Sequence, residues 1–203
     1  MPDTILKNRN FVSLTCINSP IASVCKDIED ILNKHGFKLK VIMMNPHKTS
    51  FTLPDQQQSK SGFVLWEPKN ADTRCAFMAT IYDGWYTLIR NIATKYKHDC
   101  SSIRVSSMAM EYPICELQCY VNGDHRRLIR IMKDGPRWDF FTMGTPLSFE
   151  KTENYKKRRI KDRFTEELLL EYLLIQGWDI KGNNFWETSK PYYRVNLNHR
   201  TTR

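Results

Sequence analysis

The sequence predicts a single α+β domain over residues 1–203, with a mixed sheet, helices packed on it and a helical C-terminal region. Three patterns carry that expectation. Residues 113–141 read as a three-stranded antiparallel meander, with Asn122-Gly123 and Asp134-Gly135 at its two turns. Both dipeptides tolerate the positive φ that tight hairpins need. Strand, helix and strand patterns follow one another twice, at 11–44 and 75–108. A leucine-rich helical pattern then begins near Thr165.

Taken in order, Phe11 to Ile17 reads as a strand. Ser19-Pro20 is a helix start signal, with Ser19 as the cap. Ile21, Val24, Ile28, Ile31 and Leu32 follow at helical spacing, and Gly36 supplies a left-handed stop. Phe37 to Met44 alternates as a second strand. A parallel pairing of these two strands would require a right-handed crossover. Residues 45–62 break the pattern with Pro46, Pro54 and a polar run. They read as a mobile surface loop, with an internal domain boundary or a binding loop as the other readings.

Phe63 to Glu67 is a short strand stopped by Pro68, and Cys75 to Tyr82 is a longer apolar one. Asp83-Gly84 ends it, and Trp85, Leu88, Ile89 and Ile92 make the apolar stripe of a second helix. Ile103 and Val105 open the next strand. Within the meander, Cys115, Leu117 and Cys119 share one face, as do Trp138 and Phe140. Arg130 lies on a central strand, where its head requires solvent or a carboxylate. Glu150 to Lys161 reads as a polar helix. Thr165 caps the helix after it, with Glu166 and Glu167 suited to its positive end. Asn183-Asn184 reads as a hairpin turn, and Tyr192 to Arg203 as a fraying tail. The predicted core comprises Ile28, Leu32, Val41, Phe77, Ile81, Leu88, Ile92, Leu117, Ile129, Phe140, Leu169 and Leu173.

The composition fits a folded protein rather than a disordered one, with 41% hydrophobic and 12% aromatic residues. No apolar run reaches the roughly 18 residues of a membrane span, and the first residues lack a signal peptide's apolar block. A soluble, cytoplasmic protein with no membrane partner is the expectation. The six cysteines include no C-x-x-C pair. Cys115 and Cys119 stand roughly 13 Å apart along one strand, beyond disulfide or shared-metal reach. They read as small buried thiols. No metal or cofactor motif occurs, so no cofactor is expected.

The net charge of +9 is concentrated. Residues 151–163 hold seven basic and two acidic side chains, leaving +4 for the other 190 residues. A broad electrostatic footprint for nucleic acid is therefore missing. Lys156, Lys157, Arg158, Arg159 and Arg163 are candidate partner-binding cations, with Tyr155 available to stack on a base if the partner is nucleic acid. Asp83 and Trp85 form a candidate ligand corner at a strand end. His98-Asp99-Cys100 and Asp124-His125 read as turn residues rather than as a nucleophile site and a general base. The leading expectation is a non-enzymatic binding module, immunity- or adaptor-like, whose partner is another protein. Nucleic-acid binding through 151–163 is the alternative. An enzyme whose site is assembled from scattered residues is the third reading.

Overall fold

The structure is a computed structural model that describes residues 5–6, 9–36, 40–45, 53 and 62–196. Its strands are β1 (Phe11–Ile17), β2 (Lys40–Met44), β3 (Gly62–Trp66), β4 (Cys75–Ala79) and β5 (Cys100–Ser106). Then come β6 (Ile114–Val121), β7 (Asp124–Asp134), β8 (Arg137–Met143) and β9 (Tyr192–Asn196). Three helices interrupt them: α1 (Ile21–Lys34), α2 (Tyr86–Lys95) and α3 (Glu166–Ile175). The strands form one sheet in the order β2-β9-β3-β4-β1-β5-β6-β7-β8.

This corrects the expected fold class. Every strand pairing among the described residues is antiparallel, so the sheet is not mixed. The molecule is mostly sheet with three short helices, not an α+β domain with a helical C-terminal region. Periodicity located strands but not their neighbours. β1 and β2 are not a parallel pair, because β4, β3 and β9 lie between them. β4 and β5 do run in the same direction, but each pairs antiparallel with β1, which separates them.

Alternation along the strands assigns their side chains to two interiors. On one face α1 and α2 cover Ile17, Phe63, Leu65, Phe77 and Cys100. On the other, Val12, Leu14, Trp66, Leu117, Ile129 and Ile131 meet Phe164, Leu169, Leu173 and Phe185 from the C-terminal third. Two members of the predicted core, Ile81 and Phe140, are only partly buried. The side chain of Val41 lies outside the described residues, as do residues 37–39 and nearly all of the 45–62 loop.

Four local expectations also give way. Pro20, not Ser19, is the N-cap of α1. Ser19 Oγ lies 2.6 Å from His98 Nδ1 instead. The stretch from Glu150 to Lys161 is not an α-helix. It holds two 3-10 turns, Thr152–Lys156 and Ile160–Asp162, separated by extended backbone at Lys157. Its cations would crowd one another at helical spacing, and Tyr155 is instead packed on Phe140 while Arg163 Nε donates to Lys157 O. Asn183–Trp186 is a 3-10 turn rather than a hairpin. The Trp66 indole N–H donates to Phe185 O at 2.9 Å, which holds that turn on β3. Finally, Tyr192–Asn196 does not fray: it is β9, paired with both β2 and β3.

Candidate protein-binding edge

The basic segment is held in place by a buried ion pair that no sequence motif announces. Arg127 lies on β7, directly across from Cys119, and faces the interior that holds Ile129 and Ile131. Its side chain is 2% exposed and that of its partner Glu150 is 0% exposed. Arg127 Nε and Nη2 donate to the two oxygens of Glu150 at 2.8 and 2.7 Å, a bidentate fork. Arg127 Nη1 donates to Met143 O and Gly144 O. Glu150 also accepts from Leu147 N and from the Tyr155 hydroxyl at 2.9 Å each. Both charges are thus hydrogen-bonded on every side that the burial demands.

The exit from β8 depends on Gly144, where φ is +83° and a Cβ would lie 2.0 Å from Arg126 O. Only glycine fits there, and the turn brings its carbonyl onto Arg127. Residues 145–164 then run back as a strap beside β8. Phe140 and Tyr155 pack with ring centroids 5.2 Å apart. The Arg163 guanidinium sits 5.6 Å from the Phe140 ring centre, and its Nε donates to Lys157 O at 2.8 Å.

β8 is the outer strand at this end of the sheet, with β7 on one side and no strand on the other among the described residues. Most of it is exposed, including Arg137, Asp139, Phe141, Thr142 and Met143. Asp139 lies 3.7 Å from Arg130, the carboxylate that Arg130 requires. On the strap, Lys156, Lys157 and Arg158 are exposed and have no ion-pair partner among the described residues. Arg159 is exposed and reaches Asp162 at 3.2 Å. Arg137 adds a further exposed cation at the start of β8. It lies outside the basic run 151–163, so the clustering of charge in the sequence does not single it out as a site residue.

The predicted site residues therefore divide. Arg159 lines a hollow with Arg137 and Trp138 of β8, and exposed Lys156, Lys157 and Arg158 precede it on the strap that packs on Phe140 through Tyr155. Tyr155 and Arg163 are structural here: the first is half-buried on Glu150 and Phe140, and the second ties the strap to itself. Burial, with the Tyr172 hydroxyl and the Glu150 carboxylate alongside, drives the Tyr155 phenol well above its ordinary pKa, so it stays protonated as a donor. Asp83 and Trp85 are not near this edge. Asp83 Oδ1 accepts from Trp85 N at 2.9 Å, fixing the left-handed turn into α2. Trp85 packs on Phe63 on the opposite face.

Two histidines have defined surroundings. His98 bridges Ser19 and Asp27 at 2.6 and 2.7 Å, a serine–imidazole–carboxylate chain. The residue is only 7% exposed, however, which leaves a substrate no approach to the ring. It joins α1 to the start of β5. His125 stacks on Tyr120 at 4.4 Å, and burial holds its pKa below the ordinary histidine value. Among the described residues no group of three or more His, Cys, Asp or Glu side chains is placed to hold a metal ion. No described helix is long and apolar enough to cross a membrane. Comparison with family models, curated proteins and solved structures finds no match for the chain.

Proposed function

We propose that the protein is a non-enzymatic binding module, immunity- or adaptor-like, that takes an acidic extended segment of another protein along the open side of β8. One arrangement supports this reading: an outer strand without a second neighbour among the described residues begins with exposed Arg137, and the strap packed on it through Tyr155 and Phe140 carries exposed Lys156, Lys157 and Arg158. A partner strand supplies main-chain hydrogen bonds to such an edge, and its side chains supply specificity. The cations speed the encounter with an acidic segment and repel a basic one. They also oppose pairing of β8 with a second copy, because like charges would then meet. Nucleic acid is the weaker reading, since the hydroxyl and ring of Tyr155 are already engaged and the basic run holds no other aromatic to stack on a base.

The test uses a fluorescein-labelled nonapeptide of alternating Glu and Thr, with binding read by anisotropy at low salt. Binding is expected, at least tenfold weaker in the Lys157→Glu/Arg158→Glu variant, and hydrogen exchange should slow at the amides of 137–143. Protection elsewhere on the molecule, or tighter binding of an oligonucleotide of equal charge, would overturn the reading.

A further inference from the structure

We infer that the segment bound on β8 carries a bulky apolar residue beside its acidic ones, and that this residue fills a hollow between the strap and the sheet. The inference rests on the binding reading above and specifies the partner's chemistry.

Two hollows meet at the strap. One, of about 500 Å³, opens beside the start of β8 and is lined by Arg137, Trp138 and Arg159–Lys161. The other, of about 550 Å³, lies deeper and shares Trp138, Arg159 and Lys161 with the first. Volumes of this size are those of ordinary ligand sites. The deeper hollow has an apolar floor of Val105, Ile114, Cys115 and Ile131, which belong to the core cluster of that face or lie at its margin. Its rim carries Lys161 and the paired Arg159 and Asp162 from the strap, and Glu166 and Glu167 from the first turn of α3. Glu166 Oε1 already accepts from Ile5 N at 2.6 Å.

These charges sort an incoming segment. Its carboxylates are drawn to Arg137 and Lys161 at the outer hollow and repelled from Asp162 and the α3 end. An apolar side chain suffers no such repulsion and gains by covering the floor. Strand geometry allows both at once. In a strand added to β8, alternate side chains fall on the face of Trp138 and Phe140, which is the face of the strap. The shared wall, Trp138, is half-buried and lies where such a side chain would enter.

The experiment compares the Glu/Thr nonapeptide with one in which the central Thr is Leu. Leu should raise affinity at least tenfold, the factor expected when an aliphatic side chain is withdrawn from water. Its binding should also change tryptophan fluorescence, and Trp138→Phe should remove that change. Ser107→Trp, which fills the deeper hollow from its rim, should abolish the advantage of Leu while leaving the Glu/Thr peptide unaffected. Equal affinities for the two peptides would refute the apolar anchor and leave the edge-binding reading standing. Failure of both peptides to bind would remove both.

Discussion

At the scale of single residues, Arg127 shows what alternation says and what it withholds. Arg127 shares a strand face with Ile129 and Ile131, so the sequence places a guanidinium on an apolar register. That conflict is legible, and it demands a carboxylate. Which of the 22 acidic residues answers it is not legible, because Glu150 arrives from a separate segment. Breaking a buried pair by removing one charge is far more costly than replacing both with apolar groups. Glu150→Gln should therefore lower unfolding free energy by about 3–5 kcal/mol, measured by urea denaturation at neutral pH. Arg127→Met/Glu150→Leu should recover much of that loss. Similar instability in the double variant would mean that the pair's geometry, not its burial, matters. Ser19 teaches a related lesson: Ser-Pro reads as a cap, but the hydroxyl has a better partner in His98, brought near only by the tertiary fold.

Among the elements, α3 was readable and the strap was not. Thr165 Oγ accepts from Leu168 N at 3.4 Å, and Glu166 and Glu167 occupy the first turn, as the local signals indicate. Thr165→Ala should cost about 1 kcal/mol in chemical denaturation, the usual worth of such a cap. Thr165→Asp should preserve most of it. The strap carries no signal of that kind. Its polar spacing fits a helix on paper, but Tyr155 and Arg163 bind the sheet and the strap's own backbone, and those contacts exceed weak intrinsic propensity. The basic edge was half legible for the same reason. Charge composition located Lys156 to Arg159, while only the tertiary fold brings Arg137 and Trp138 beside Arg159.

In the molecule as a whole, the positions of the described strands were legible except for β9, and strand order was not. Alternation fixes which residues face inward, but nothing local in Tyr192–Asn196 indicates that it sits between β2 and β3. The two interiors can be tested through the thiols. All six cysteines are free; five are buried and Cys25 is half-buried. Burial, reinforced by Glu29, pushes the Cys25 thiol up to about 12. Because only the thiolate reacts, at pH 8 roughly one Cys25 in ten thousand is reactive. The native protein should therefore react with Ellman's reagent far more slowly than the unfolded chain, whose thiols titrate at about 8.5. The native rate should rise about tenfold per pH unit while the fold persists. Rapid release at pH 8 would show that one of the interiors is open. The late entry of β9 has a further consequence, for synthesis. As the chain emerges from the ribosome, β2 and β3 lack their shared neighbour until Asn196 has emerged, so this wing of the sheet cannot assemble before that point. A nascent chain halted before that point would expose two raw strand borders, a natural substrate for chaperones.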